Sequence, residues 1–316
     1  MINLSKIRDY AVIAFLKFSA PFIRTLEHLF FSAKESAKPP VFIIGAPRTG
    51  STILYQALTN SHKVAYIDNK ACAWHRNLRF GLWLSSLRYG EKPHNNFKAE
   101  HGSTASFGGH APSECGAFWY RWLPTDRHFI DDHEVTPVMV KEIRAEVMGA
   151  AHKLQRPLLF KNLNVGQRLR LIKKAFPDAK LIFVRRDPRF VVQSILKARE
   201  RLGIGAGEWW SIMPPKFQEL RELPEPEMCM AQVFSLEKQI EQDLKLFPSD
   251  NVREVFYQNM SASMIQDLGK WIGVDMKPQA EMPVFRQDSL EGLAEQDLEK
   301  LSQLAAKYPF NKELFV

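Results

Sequence analysis

Residues 41–52, which read VFIIGAPRTGST, constrain the fold more than any other segment of this 316-residue chain. Residues 41–44 are apolar and predict a buried strand, and a helix is predicted to follow over about residues 51–60. Only a short turn that contains Gly45 and Gly50 joins the two elements. A strand, a glycine turn and a helix in immediate succession are the first half of a βαβ unit, so the segment predicts a parallel sheet.

Strands and helices alternate along most of the remaining sequence. Further strands are predicted at residues 64–67, 157–160, 180–184 and 252–256, and helices at residues 138–154, 166–176, 187–201, 228–247 and 262–272. Because apolar strands are separated by helices, we predict an α/β fold in which helices flank a five-stranded parallel sheet of the P-loop type. The sequence predicts one such domain over residues 39–316.

Residues 70–135, approximately, interrupt this alternation after the second predicted strand. They contain the glycine- and serine-rich stretch HGSTASFGGHAPSECG and four of the seven tryptophans, Trp74, Trp83, Trp119 and Trp122. No internal repeat accounts for the segment. We therefore predict that it is an insertion of helices and loops within the domain.

The N-terminal residues 1–38 are predicted to form an amphipathic helical segment. Its longest charge-free apolar runs, residues 10–16 and 18–23, are separated by Lys17. A membrane-spanning helix needs about 20 apolar residues, so neither run predicts a span. The helix is expected to pack on the domain or, through residues 1–31, to lie on a membrane surface.

The three cysteines, Cys72, Cys115 and Cys229, lie far apart and show no CxxC spacing. This pattern argues against structural zinc and favours a reducing compartment. The expected location is therefore the cytoplasm, with attachment to a membrane surface as an open alternative.

The positive charge of the chain is concentrated in one block. The formal net charge is +8, whereas residues 160–201 alone carry 12 basic and 3 acidic side chains. Such a block is expected to face an anion. No motif typical of a nucleic-acid-binding protein accompanies it, so a small polyanion is predicted rather than nucleic acid.

The glycine turn has the spacing of a phosphate-binding loop, GxxxxG followed by a hydroxyl residue. Backbone N–H groups at such a helix start bind phosphate oxygens. However, Ser51 stands where nucleotide triphosphatases carry a lysine, and the cation of the loop is Arg48 instead. The predicted strand at 180–184 is followed by Arg185 and Arg186 before its first carboxylate, an arrangement that favours a phosphate over a divalent cation. A nucleotide anion bound without metal is therefore expected.

Two motifs together resemble the sulfotransferases that use 3′-phosphoadenosine 5′-phosphosulfate (PAPS). These are GAPRTGST after a strand and RDPRFVVQS, in which Arg186 and Ser194 lie eight residues apart. The arginine in the loop is similar to the bacterial and tyrosylprotein-type branch of that family. The resemblance implies that Arg186 and Ser194 bind the 3′-phosphate. It also implies that the loop binds the 5′-phosphosulfate through Arg48, Thr49, Gly50, Ser51 and Thr52.

Two further segments extend the resemblance. FKNLN contains Lys161, 25 residues before Arg186, and the resemblance implies that this lysine contacts the sulfuryl group or the bridging oxygen. VFYQNM is similar to a strand end that contacts the nucleotide, which implies that role for Tyr257. The implied reaction is in-line transfer of a sulfuryl group from PAPS to an acceptor hydroxyl, with 3′,5′-ADP as product. Arg48 and Lys161 are the candidates to stabilise charge on the bridging oxygen.

The sequence leaves more than one candidate for the general base and for the acceptor. In the family branch an acidic residue follows the first helix and second strand, and Asp68 lies near that position, although the spacing differs by about one residue. Glu114 and His110, both in the insertion, are alternative bases. Aromatic residues in an insertion beside the site would suit a carbohydrate or glycolipid acceptor, which is preferred over peptide tyrosine and small metabolites.

Two other classes of protein remain as alternatives. One is a P-loop kinase or ATPase, which would require magnesium and the lysine that is missing here. The other is a module that binds a 3′-phosphonucleotide without turnover. No metal site is predicted, because the charged run of residues 128–134 lacks the HExxH spacing.

Overall fold

A four-stranded parallel sheet lies at the centre of the protein. The structure is a computed structural model that describes residues 4–31, 38–100, 102–290 and 295–315. The strands are β1 (Val41–Gly45), β2 (Leu159–Lys161), β3 (Lys180–Arg185) and β4 (Val252–Phe256), in the spatial order β2-β1-β3-β4. All neighbouring strands run parallel, as the sequence predicted.

Helices cover both faces of the sheet. Alternate residues of the strands point to opposite sides, so Phe42 and Phe183 belong to one buried cluster and Ile43 and Val184 to another. The helices within the described residues are α1 (Leu4–Phe30), α2 (Ser51–Ser61), α3 (Asn69–Cys72), α4 (Leu78–Tyr89), α5 (Gly116–Trp119), α6 (Pro137–Leu154), α7 (Leu169–Ala175), α8 (Pro188–Leu202), α9 (Phe217–Leu220), α10 (Glu225–Leu244), α11 (Ala262–Ile272) and α12 (Glu295–Ala306). The first cluster includes residues of α6, α7 and α10, and the second includes residues of α2 and α11. The predicted α/β class is confirmed.

The prediction of a fifth strand at residues 64–67 was wrong. The segment runs beside β2, and the N–H of Leu159 donates to the carbonyl of Ala65 at 2.8 Å. Pairing stops there, leaving one isolated bridge between Ala65 and Leu158. The carbonyl of Ile67 instead accepts a hydrogen bond of 2.8 Å from the N–H of Ser113 in the insertion. The insertion therefore takes up the backbone group that would have continued the ladder.

The long N-terminal helix α1 packs on α4 through its last turn. Glu27 is buried there and accepts hydrogen bonds from Asn77 Nδ2 at 3.1 Å and from the N–H of Phe80 at 2.9 Å. Arg79 Nη1 donates to the carbonyl of Phe31 at 2.9 Å. Within the residues that the structure describes, no helix is long and apolar enough to cross a membrane.

Candidate active site

All four strands deliver functional side chains to one edge of the sheet. Lys161 is the last residue of β2, and the glycine loop with Arg48 follows β1. Arg186 follows β3, and Tyr257 follows β4. Open parallel sheets bind ligands at the carboxyl ends of their strands. These residues line one cavity of about 630 Å³, which the insertion and residues 210–212 close from the other side.

The glycine loop is held by its own side chains and by Tyr257. Thr49 is fully buried, and its hydroxyl donates to the carbonyl of Ala46 at 3.0 Å. Gly50 has a φ of +85°, and a Cβ at this position would lie 2.4 Å from Cδ2 of Tyr257. Both the backbone conformation and the close ring require glycine at this position. The loop therefore has one tightly determined shape.

The first turn of α2 faces the cavity without a side-chain cap. The preceding residue is Gly50, and no side-chain hydrogen bond caps the helix. The first N–H groups of a helix have no partner within the helix. Because Ser51 and Thr52 line the cavity, these N–H groups and the positive end of the helix dipole form a site for an anion.

The two predicted phosphate-binding motifs are in direct contact. Arg48 Nε donates to Ser194 Oγ at 2.9 Å, and Arg186 Nη1 donates to the carbonyl of Arg48 at 2.9 Å. The ring centroid of Tyr257 lies 4.4 Å from the Arg186 guanidinium. Burial, and then the neighbouring charge of Arg186, lower the pKa of Arg48. The structure thus brings Arg48, Arg186, Ser194 and Tyr257 together beside the loop.

Arg186 also forms an ion pair that the sequence did not predict. Its Nε donates to Asp288 Oδ2 at 2.7 Å, and its Nη2 contacts the other carboxylate oxygen at 2.5 Å. Asp288 lies in the extended segment after α11. A carboxylate in a bidentate pair occupies the edge of a guanidinium that a phosphate would use. Asp288 is therefore a competitor for any anion that binds Arg186.

Lys161 and Glu114 are in contact on the β2 side of the glycine loop, whereas Arg186 lies on its β3 side. Lys161 is 3% exposed, and its Nζ contacts Glu114 Oε1. Thr52 lies on the same side, since a Cβ at Gly102 would be 3.5 Å from Thr52 Oγ1 and 3.9 Å from both Lys161 Nζ and Glu114 Oε1. A cation, a carboxylate and a helix N-terminus therefore surround one point in the cavity.

Asp68 and His110 lie outside this cavity. Asp68 caps the start of α3, where it accepts hydrogen bonds from the N–H of Ala71 at 2.7 Å and from the Ser85 hydroxyl, and burial raises its pKa. His110 stacks on Tyr89 with 4.1 Å between the ring centroids, and burial lowers its pKa to about 4. Both residues line a separate, much smaller cavity. Of the three candidate bases, the central cavity contains Glu114 alone.

A group of uncharged residues forms the far wall of the cavity. It includes Tyr120, His128 and Asn164, which the sequence analysis did not predict to line this cavity, together with Trp210. None of the insertion tryptophans lines the cavity, and Trp119, for example, is 1% exposed in the core. The aromatic wall thus comes partly from residues outside the insertion.

The family model described as the sulfotransferase family matches residues 39–278, well over half of the chain. The chain belongs to the sulfotransferase family. The match includes the glycine loop, Lys161, Arg186, Ser194 and Tyr257, so the resemblance that the motifs indicated is confirmed at the level of the family. None of the curated protein sequences matches this sulfotransferase.

Solved structures of bacterial sulfotransferases resemble this one. The sulfotransferase STF1 from Mycobacterium tuberculosis is 15% identical, with a TM-score of 0.56 over 92% of this chain and 81% of that chain. A sulfotransferase from Alicyclobacillus acidocaldarius is also 15% identical, with a TM-score of 0.44 over 86% of this chain and 92% of that chain. At this level of identity the likeness to STF1 supports the fold of this sulfotransferase.

Most of the basic block in this sulfotransferase does not face an anion, contrary to the interpretation from charge alone. Arg185 is 3% exposed and pairs with Glu237 at 2.8 Å, and Arg199 pairs with Glu225 at 2.6 Å. Of the basic residues between 160 and 201, the described cavity lining includes only Lys161 and Arg186. Ion pairs with carboxylates of the described residues neutralise five of the others, Arg170, Lys174, Arg185, Arg189 and Arg199.

The charged run at 128–134 is a structural turn. The side chain of Asp131 accepts a hydrogen bond from the backbone N–H of Glu134, and the side chain of Glu134 accepts one of 2.9 Å from the N–H of Asp131. These reciprocal bonds form a capping box. Among the residues placed by the structure, no three His, Cys, Asp or Glu side chains are grouped so that they could hold a metal ion.

Proposed function

We propose that this protein transfers the sulfuryl group of PAPS to an acceptor hydroxyl by in-line displacement, with 3′,5′-ADP as the second product. The observation that carries the proposal is the contact of Arg48 with Ser194 and of Arg186 with the Arg48 carbonyl. These bonds would join the proposed site for the 5′-phosphosulfate to the proposed site for the 3′-phosphate. A donor with phosphate groups at both the 5′ and 3′ positions matches this arrangement.

Each end of the donor would have its own set of residues. The N–H groups of Gly50, Ser51 and Thr52, with the N–H of Thr49 and the guanidinium of Arg48, would hold the 5′-phosphosulfate. The Thr49 hydroxyl has no such role, because it is bonded within the loop. Arg186 and Ser194 would bind the 3′-phosphate, and the Tyr257 ring would contact the nucleotide.

Lys161 and Glu114 would carry the chemical step. In sulfuryl transfer, negative charge develops on the bridging oxygen as the bond to sulfur breaks. Lys161 would donate a hydrogen bond to that oxygen, with support from Arg48. Glu114 would accept the proton of the attacking hydroxyl. The attacking and leaving oxygens lie on opposite sides of the same sulfur, so the contact between Lys161 and Glu114 would have to open for the sulfuryl group to lie between them.

We propose Glu114 as the base in place of Asp68. Both oxygens of Asp68 are already bonded, one to the N–H of Ala71 and the other to Ser85. Its side chain is buried in a cavity that the loop residues do not line. Glu114 is about one-third exposed and lines the cavity that contains Lys161 and Thr52.

The acceptor is proposed to be a carbohydrate or glycolipid that reaches the protein at a membrane surface. Helix α1 exposes Phe15, Phe18 and Phe22, with 82% exposure at Phe18. Lys17 and Arg24 lie beside them on the same helix. An amphipathic helix with aromatic and basic residues favours peripheral contact with anionic lipids.

Two measurements test the proposed reaction. Thermal denaturation with 3′,5′-ADP is expected to show clear stabilisation over that with 5′-AMP, because only the former reaches Arg186 and Ser194. Equal stabilisation by both nucleotides would remove the proposed 3′-phosphate site. Transfer of radiolabelled sulfate from PAPS into a fractionated lysate would identify the acceptor.

Substitution of Glu114 distinguishes a catalytic protein from one that only binds the nucleotide. Glu114→Gln is expected to abolish transfer of label while binding of 3′,5′-ADP is retained. Glu100→Gln is the matched control, because Glu100 is an exposed acid of the same insertion. Nucleotide binding without transfer in the unaltered protein would instead support a non-catalytic module.

A further inference from the structure

The uncharged wall of the cavity contains a chain of hydrogen bonds. The backbone N–H of Met213 donates to His128 Nδ1 at 2.8 Å. The other ring nitrogen, Nε2, lies 3.4 Å from the hydroxyl of Tyr120. Asn164 Nδ2 donates to the same hydroxyl oxygen at 2.8 Å. Tyr120, His128 and Asn164 all line the cavity.

The hydrogen bond from the N–H of Met213 fixes the direction of the other hydrogen bonds in this series. A backbone N–H can only donate, so Nδ1 of His128 must be the acceptor, and in the neutral ring the hydrogen lies on Nε2. Burial, together with the charge of Arg168, lowers the pKa of His128 to about 4, which favours the neutral ring at pH 7. His128 Nε2 and Asn164 Nδ2 therefore both donate to Tyr120.

The Tyr120 hydroxyl is left with a hydrogen to donate. A phenolic oxygen offers two lone pairs, and the two donors from His128 and Asn164 occupy them. Among the residues that the structure describes, no acceptor is bonded to the Tyr120 hydrogen. Since Tyr120 lines the cavity, this O–H group is available to a ligand there.

Neighbouring contacts hold the chain in place. His128 is 7% exposed, and its carbonyl accepts a hydrogen bond of 3.1 Å from Arg168 Nε. Arg168 is 1% exposed, and its guanidinium lies 5.5 Å from the centroid of the Tyr120 ring. A donor that is fixed in this way loses little conformational entropy when a ligand binds.

The two ends of the cavity differ in charge. The end beside the loop contains the cations Arg48, Lys161 and Arg186. The wall around Tyr120 contains neutral polar groups with Trp210 and other apolar side chains, and the guanidinium of Arg168, 5.5 Å from the Tyr120 ring, is buried. A negatively charged acceptor would be attracted to the donor end, whereas an uncharged acceptor fits the neutral wall.

We propose that Tyr120 binds an uncharged, sugar-like acceptor by donating a hydrogen bond to one of its oxygens, with His128 and Asn164 as the positioning residues. The Trp210 ring supplies the aromatic surface that a sugar ring packs against. This assignment rests on the proposed sulfuryl transfer, since it identifies the acceptor side of the same cavity. The hydrogen bond orients the acceptor toward the sulfur, and Tyr120 itself takes no proton.

Saturation-transfer NMR on the complex with 3′,5′-ADP tests the proposal directly. The probes are methyl β-D-glucopyranoside and methyl β-D-glucuronide, which share a ring shape and differ by one carboxylate. The neutral probe is expected to bind, and the glucuronide is expected to bind more weakly. Tyr120→Phe is expected to weaken binding of the neutral probe by about three- to tenfold, the usual effect of losing one neutral hydrogen bond. Tyr308→Phe, which alters a tyrosine outside the cavity, should have no effect.

The outcomes separate this proposal from the proposed function. Absence of neutral-probe binding, equal binding of both probes, or unchanged binding in Tyr120→Phe would overturn the acceptor assignment while 3′,5′-ADP still bound. Equal thermal stabilisation of the unaltered protein by 3′,5′-ADP and 5′-AMP would overturn the proposed function instead. Nitrogen NMR of the His128 ring provides a second readout. The proposal requires an unprotonated Nδ1 between about pH 5 and 8, and a protonated Nδ1 in that range would refute the chain's direction.

Discussion

The substitution Asp288→Asn is expected to tighten the binding of 3′,5′-ADP, because the carboxylate of Asp288 pairs with the guanidinium proposed to hold the 3′-phosphate. Arg186 Nε is 2.7 Å from Asp288 Oδ2, and Arg186 Nη1 is already bonded to the carbonyl of Arg48. A 3′-phosphate must therefore displace the carboxylate or bind beside it. An asparagine keeps the size of the side chain and removes its charge.

The size of the effect follows from the charges and their burial. Two unit negative charges about 5 Å apart repel by about 3 kcal/mol at an effective dielectric constant of about 20. The side chains of Arg186 and Asp288 are 17% and 8% exposed, so solvent screens this repulsion only in part. Movement of the segment relieves some of it, and we expect at least about a tenfold decrease in Kd, which corresponds to about 1.4 kcal/mol.

Isothermal titration calorimetry with two nucleotides would measure the effect. The gain should appear with 3′,5′-ADP and not with 5′-AMP, which lacks the 3′-phosphate, and it should shrink as salt is added. Glu281→Gln is the matched control, an exposed acid earlier in the same segment for which no ion pair is found among the described residues. An unchanged or higher Kd for 3′,5′-ADP in Asp288→Asn would refute the reasoning.

Three other predictions follow from the same structure. Lys161→Ala should lower transfer of label by about 10²- to 10³-fold with little change in 3′,5′-ADP binding, and normal turnover in a steady-state assay would contradict its role. Because the pKa of His128 is lowered from 6.5 to about 4, the stability that it contributes is complete above pH 6.5 and is lost as the pH falls toward 4. Urea titrations should therefore show an acid-induced loss of about 3 kcal/mol from this residue that His128→Asn removes, and an identical pH profile in the variant would exclude it. Phe18→Glu should reduce sedimentation with phosphatidylserine vesicles, whereas Val284→Glu, at a site 86% exposed, should not; equal sedimentation of both variants would argue against membrane contact through α1.

Features that depend on neighbouring residues in the sequence could be predicted well. The strand, glycine turn and helix of residues 41–61 obey local rules of hydrophobicity and backbone conformation, and the structure has them at the expected positions. The spacing of Arg186 and Ser194 is likewise local, because α8 presents residues at fixed intervals after the end of β3. Four of the five predicted strands are confirmed for the same reason.

Features that depend on distant pairing could not be predicted. The segment at 64–67 has the composition of a strand, but the N–H of Ser113 bonds to its carbonyl group. Asp288 reaches Arg186 across 102 positions of the chain, and no periodic pattern marks it. The net charge of a segment likewise does not reveal that Arg185, at the end of β3, is paired with Glu237 of α10.

The order β2-β1-β3-β4 fixes the distances between the strand ends that line the cavity. Adjacent strands lie about 4.8 Å apart and are held by their hydrogen bonds. The backbone positions of Lys161, the turn after β1 and Arg186 are therefore separated by multiples of this fixed spacing. Discrimination among anions then depends on length as well as on charge. A molecule whose two negative groups are separated by a different distance could bind at the glycine loop or at Arg186, but not at both.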